Sequence, residues 1–301
     1  MPDSRLSGRH VLALGVGVLA ISFAAPLIRL AEAPALTIAA VRLALAAPPM
    51  FALALATGGQ RQWRVLRRGE WLLLALSAAA LAAHFAFWVA SLQRTSVVAS
   101  VALVTMQPLF VAIGGWAFLG ERPRRGTLVG IAVATAGALL LVLPHAGDRG
   151  TLEGDAFALV GGVMSGCYLL AGRGARRRLS TAAYTGAVYP ATAVLLLLGA
   201  LVISDTPLIG HPREAYVAMA LLALVPQLVG HNALNWALGS LPAAVVAITI
   251  LGEPIGAAII AVPLLDEMPR AIEVAGGAVV LLGVYLAMRD ARTLDAASPE
   301  V

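Results

Sequence analysis

Apolar residues run along this chain in ten blocks separated by short polar stretches, at roughly 11–30, 34–56, 71–93, 95–119, 127–143, 154–172, 182–203, 215–238, 242–264 and 271–288. Most blocks are long enough for a helix rising 1.5 Å per residue to cross a hydrocarbon layer of about 30 Å. Inside the blocks the apolar residues are continuous, with none of the period-two alternation of a membrane β-barrel. The pattern predicts an all-α polytopic membrane protein with ten transmembrane helices.

The blocks repeat. At an offset of 146 residues Gln107-Pro108 meets Glu253-Pro254, and Glu121, Pro123 and Arg124 meet Glu267, Pro269 and Arg270. Gly130 and Gly137 meet Gly276 and Gly283. Five spans fit between matching points. An odd number of crossings turns the second copy upside down, so the expected architecture is two inverted five-helix repeats. That plan suits alternating access around a site at mid-membrane. The expected units are residues 1–143 and 154–301, joined by a polar linker at 144–153.

Arginines orient the chain. With the N-terminus inside, fifteen fall on the cytoplasmic side and five (Arg29, Arg94, Arg149, Arg213 and Arg270) on the other, with Arg42 left within a span. This bias follows the positive-inside rule and places both termini in the cytoplasm. The arginine-rich loop 57–70 corresponds to 204–214, where only Arg213 remains. The cluster in 120–126 corresponds to 266–270, where Asp266 and Glu267 stand beside a single arginine. Matching loops that lose their positive excess are what inversion requires.

Composition narrows the class further. Of 301 residues 60% are hydrophobic and 12% charged, about half the charged share of a soluble domain. The net charge of +5 would suggest nucleic acid in a soluble protein. Here the positive residues sit in short loops, so no nucleic-acid partner is expected. A single cysteine, Cys167, leaves no internal disulfide framework and no multi-cysteine metal site. No cofactor or metal is expected. The apolar run after Arg5 and Arg9 reads as a retained first helix rather than a cleaved leader.

Taken together these motifs resemble the EamA-type transporters of the drug/metabolite transporter superfamily. The resemblance rests on Gly120-Glu121-Arg122-Pro123 before Gly130 and Gly137, on Asp266-Glu267-Met268-Pro269 before Gly276 and Gly283, on Arg42 after Pro34, and on Glu253-Pro254. It covers nearly the whole chain. It departs from the family pattern in placing Asp266 where the first copy has glycine. It implies a carrier in the bacterial inner membrane, with a central cavity lined by both repeats and spans five and ten at the periphery. It also implies export of amino acids or similar small metabolites.

Several polar residues inside the spans are candidates for the cavity. Glu253 lies eleven residues into span nine, where an ionisable group costs about 2.5–3.5 kcal/mol or more to insert. It reads either as a proton-coupling or ammonium-binding carboxylate, or as a structural glutamate beside a proline, its repeat mate being the uncharged Gln107. Arg42 reads as a carboxylate anchor, a partner for Glu253, or a structural cation. In span eight Gln227, His231 and Asn235 are spaced i, i+4, i+8, with Asn232 and Trp236 alongside. In span three Ser77, His84, Trp88 and Ser91 share a face. Such stripes line a cavity or join helices by hydrogen bonds. Their tryptophans lie away from the expected interfacial belt. Ser22 and Tyr168 add polar atoms at comparable depth in spans one and six. Glu121 and Glu267, at turns before helices, read as structural.

The expected activity is therefore secondary transport, as a proton antiporter or a facilitator, by a monomer or weak homodimer in a lipid bilayer. No P-loop is present to drive it with nucleotide. The alternative is an integral-membrane enzyme acting on a lipid or peptide. Ser165 and His231 would be its nominal nucleophile and base, but Ser165 lacks a nucleophile elbow. The chain is not expected to be an enzyme.

Overall fold

The computed structural model describes residues 8–110, 113, 125–145, 148–176, 178–203, 208–237 and 249–295. Every extended element among them is helical. Helix α1 (Gly8–Ser22) and α2 (Ala24–Leu30) form one kinked span. They are followed by α3 (Ala35–Ala56), the short α4 (Gly59–Arg64), α5 (Arg68–Leu92) and α6 (Val97–Val104). Beyond lie α7 (Arg125–Val142), α8 (Arg149–Ala175), α9 (Thr181–Ile203), α10 (Arg213–Leu222) and α11 (Asn232–Ala237), then α12 (Gly252–Leu265) and α13 (Ala271–Asp295). A π-helix, Ala223–His231, joins α10 to α11 in one span.

Seven of these spans are long and apolar enough to cross a membrane: Gly8–Leu30, Ala35–Ala56, Arg68–Leu92, Arg125–Val142, Arg149–Gly172, Thr181–Ile203 and Arg213–Ala237. The chain is thus a multi-pass membrane protein. Where spans four, nine and ten are expected, the described residues form shorter apolar helices, Val97–Phe110, Gly252–Leu265 and Ala271–Leu286. The Glu121–Arg124 turn and much of the first half of span nine lie outside the described residues.

Local chemistry explains the interruptions. Pro26 has no N–H to give the Ser22 carbonyl, so the first span breaks at Phe23. The Ser22 hydroxyl turns back to the Val18 carbonyl at 2.8 Å. Pro226 likewise removes a donor, and it lies within the π-helical stretch. Helix starts carry caps: the Ser96 hydroxyl accepts from the Ala99 amide at 3.1 Å, and the Asp148 carboxylate from the Gly150 amide at 3.0 Å. Asp266 ends α12 with φ +52°, a left-handed conformation that glycine adopts freely and aspartate tolerates. Its sequence mate is Gly120.

The offset of 146 residues reappears in the element bounds. It carries 35–56 onto 181–202, against Thr181–Ile203, and 68–92 onto 214–238, against the described Arg213–Ala237. The packing repeats too. Helices α7 and α13, mates under the shift, pack along their length, as do the mates α3 and α9. The α5–α8 contact has its counterpart in α1 against the π-helix and α11. At the α7–α13 crossing a Cβ on Gly137 would fall 2.5 Å from the Val280 amide nitrogen, and one on Gly283 would strike the Ala134 backbone. Glycine there lets two backbones touch, the usual way apolar helices associate in lipid.

Candidate functional site

The centre of the bundle is organised by Arg42, on the second turn of α3 and fully buried. Its Nε donates to Gln227 Oε1 at 2.9 Å, and its guanidinium carbon lies 4.3 Å from the centre of the Phe85 ring. Nη1 and Nη2 have no hydrogen-bond partner among the described residues. A desolvated cation over an aromatic face gains about 2 kcal/mol. That is smaller than the several kcal/mol it costs to bury the charge. Tyr189 and Glu253 lie within electrostatic reach of the guanidinium, yet no ion pair joins Arg42 to Glu253 among the described residues. Among the described residues, the centre holds a cation with two nitrogens left unpartnered.

Around it stand aromatic and imidazole rings from α5. His84 donates from Nδ1 to the Gly161 carbonyl at 2.9 Å, because a carbonyl can only accept. Its ring stacks on Trp88 with centroids 5.7 Å apart and planes 13° apart. Trp88 is buried and its Nε1 lacks a partner among the described residues. Phe85, between them in sequence, presents its face to Arg42, while His231 meets it edge-on at 6.4 Å. The span-three and span-eight stripes therefore converge through Phe85, a residue outside either stripe.

The matched pair Gln107 and Glu253 differ in environment as well as in charge. Gln107 Oε1 accepts from the Ser165 hydroxyl. The position matching Ser165 in the first copy is Leu19, which offers no hydroxyl. Glu253, half-buried in the first turn of α12, makes no hydrogen bond or ion pair among the described residues. Its helix presses close to α1: a Cβ on Gly252 would lie 3.0 Å from Val18, and one on Gly256 would overlap Ser22. Ser22 is thus buried against the Glu253 helix. Tyr168 lies half-buried, its ring 6.2 Å from that of Tyr184.

Two span-eight candidates lie apart from this group. The Asn235 carbonyl accepts from Arg176 at 3.3 Å, and Trp236, 49% exposed, stacks on His10 at 5.4 Å. Trp236 therefore sits near the end of its span beside the start of α1, not at mid-depth as expected. Spacing along a helix sets the face a residue shares, whereas nine residues from Gln227 to Trp236 also climb about 13 Å. Asn232 donates from its amide nitrogen to the Leu228 carbonyl at 3.0 Å and to Met50 Sδ at 3.1 Å, while its Oδ1 has no partner among the described residues.

Phe85 and Tyr189 are the members of the site that sequence reasoning passed over. Phe85 is an apolar residue beside the polar stripe, with no local signal of its own. Tyr189, buried next to Gln227 and Arg42, matches Leu43 in the first copy. It sits one position from Val188, which stands where the 146-residue offset would place a mate for Arg42, and that missing arginine was the available clue.

A multi-pass helical protein with a polar centre assembled from both halves of its sequence has the build of a membrane carrier. The chain belongs to the EamA-like transporter family, whose pattern it matches over residues 8–143 and 152–289. It is 26% identical over 294 residues to an uncharacterized transporter of Archaeoglobus fulgidus, the match covering 92% of this chain and 95% of the relative. It is 29% identical over 276 residues to a probable terminal-alkyne amino-acid exporter of Streptantibioticus cattleyicolor, covering 86% of this chain and 82% of that one. A crystal structure 21% identical in sequence shares its fold with a TM-score of 0.64, over 95% of this chain and 98% of the other.

Proposed function

We propose that this protein exports amino acids or similar small metabolites across the bacterial inner membrane by alternating access. In this reading ten spans form two inverted five-helix repeats, residues 1–143 and 154–301, with both termini cytoplasmic, and the two halves rock about the Arg42 centre. The observation that carries the substrate class is the Arg42 guanidinium, buried with Nη1 and Nη2 unpartnered among the described residues, where the neighbouring Glu253 makes no ion pair with it. A planar fork of free N–H groups matches a carboxylate. A carboxylate of the protein within reach of it, itself unpaired, suits an ammonium. An α-amino acid carries both groups a few ångströms apart. The name of the Streptantibioticus relative points the same way.

Glu253 has a second role in this proposal, exchanging its proton for substrate, as an ionisable group at such depth commonly does. His84, Trp88, Phe85 and His231 form the wall against which a side chain would pack, with Ser22, Gln107 and Tyr168 on the flanks. The test is counterflow in proteoliposomes with a panel of labelled amino acids, L-propargylglycine among them, beside sugars and organic cations. Uptake of amino acids by the wild type, lost in Arg42→Gln, is the expected result. Uptake of cations or sugars alone, or an Arg42→Gln protein as active as wild type, would overturn the reading.

A further inference from the structure

On the face of the bundle opposite the arginine-rich loops, one side chain joins parts that lie far apart in sequence. Glu267, in the turn between α12 and α13, accepts from the Val97 amide with Oε1 at 2.7 Å. Its Oε2 pairs with Arg29 Nη2 at 3.0 Å. Arg29, in the last turn of α2, donates from Nη1 to the Leu92 carbonyl at 2.6 Å, at the end of α5. One carboxylate and one guanidinium thus tie together the end of α2, the end of α5, the start of α6 and the α12–α13 turn.

The chemistry makes this more than an exposed ion pair. The Val97 amide opens α6 and the Leu92 carbonyl closes α5, so both belong to helix ends that lack partners within their own helices. The carboxylate sits at the positive end of α6 and the guanidinium at the negative end of α5, each favoured by the helix dipole. Asp266, held at φ +52°, makes the sharp turn that brings Glu267 to α6. Arg29 and Glu267 also line an open vestibule of about 530 Å³, with Arg94, Arg270 and Glu273 on its walls. Water therefore reaches the tie from this side. The side chains remain partly exposed, at 33% and 21%, so the bond is weak enough to break and re-form in water.

We infer that Arg29 and Glu267 are the latch of a gate on this face. While their bonds hold, they clamp the turn preceding α13 onto α2, α5 and α6 and close the path from the vestibule to the Arg42 centre; the path opens when they part. The inference rests on the alternating-access reading but not on the identity of the substrate. Its links join the two halves of the sequence: Glu267 comes from the second, and Arg29, Leu92 and Val97 from the first.

The test needs no substrate. In a Cys167→Ser background, Ser22→Cys places a thiol of nearly native size at a buried position beside α12. Cells or right-side-out vesicles are treated with a membrane-impermeant cationic methanethiosulfonate, and the labelling rate is measured with and without Glu267→Gln. Glu267→Gln retains an oxygen for the Val97 amide and loses only the charge that holds Arg29. A latch predicts labelling at least about ten-fold faster in Glu267→Gln and in Arg29→Gln, with amides 93–100 and 265–270 exchanging faster with deuterium. Unchanged labelling in folded protein overturns the latch. So does faster exchange spread over the whole bundle, which would mark a general loss of stability. If labelling accelerates but no amino acid is transported by the wild type, the latch stands and the substrate reading fails. If transport is found and labelling does not change, the reverse holds.

Discussion

Arg42 donates its Nε hydrogen to Gln227 at 2.9 Å, and that bond ties a helix of the first half of the chain to the π-helical stretch of the second. Both side chains are buried to within 1%, and the bond fixes the guanidinium while leaving Nη1 and Nη2 without partners among the described residues. Gln227→Leu should therefore remove this hydrogen bond from a buried cation, a loss on the order of 1.5–3 kcal/mol, read as a lower unfolding temperature of the purified protein in detergent. Gln227→Glu should do the opposite, supplying a carboxylate to the guanidinium. It should unfold at a higher temperature than wild type yet lose transport, because the anion place is then filled. A Gln227→Glu protein with normal transport would show that Arg42 is a structural cation only.

Glu253 offers the second prediction. Glu253→Gln keeps the shape and hydrogen-bonding capacity and removes the proton, matching the residue at position 107. Flux driven by a pH gradient should vanish in proteoliposomes, while exchange of labelled for unlabelled substrate at equal pH persists with a raised apparent KM, the ammonium having lost its carboxylate. Gradient-driven flux at the wild-type rate would leave the protein a facilitator, with Glu253 no part of the coupling.

The third concerns span eight. His231 touches the Phe85 ring that carries Arg42, whereas Trp236 stacks on His10 near the end of the span. His231→Ala should raise the apparent KM about ten-fold, equivalent to about 1.4 kcal/mol, and Trp236→Ala should leave KM within two-fold, roughly. Equal shifts in the two variants would place both residues on the substrate path.

The fourth concerns the α7–α13 contact. Gly283→Val would drive a branched side chain into the Ala134 backbone, and overpacking of this kind costs about 1–3 kcal/mol. The protein should reach the membrane in smaller amounts and unfold at a lower temperature. Its KM should stay normal, since the contact lies away from the Arg42 group. A changed KM at normal stability would tie this helix pair to transport itself.

How much of this was legible from the residue order depends on the range of the interactions. Seven of the spans were legible because burial in lipid imposes a continuous apolar run, and the repeat because a 146-residue offset needs only comparison of the sequence with itself. Arg42, Gln227, His84, His231 and Glu253 stood out because a polar group in an apolar run is expensive and must face inward. The α7–α13 glycines were readable for the same reason, small residues at helical spacing marking close approach.

Depth, partnership and neighbours across the bundle were not. Gln227 and Asn235 share a helical face, yet Gln227 holds the central arginine and the Asn235 carbonyl meets Arg176. Arg42 and Glu253 looked like natural partners, but the fold gave the arginine to a glutamine and a phenylalanine. Glu267 read as a helix-turn residue and proved to bridge 238 positions to Arg29. By itself the sequence determined which segments are apolar enough to enter a membrane and which residues cannot face lipid, because those depend on composition and local periodicity. Only the tertiary structure decided which of them meet, because hydrogen bonds and ring contacts act over a few ångströms between helices whose relative height and rotation no local pattern records.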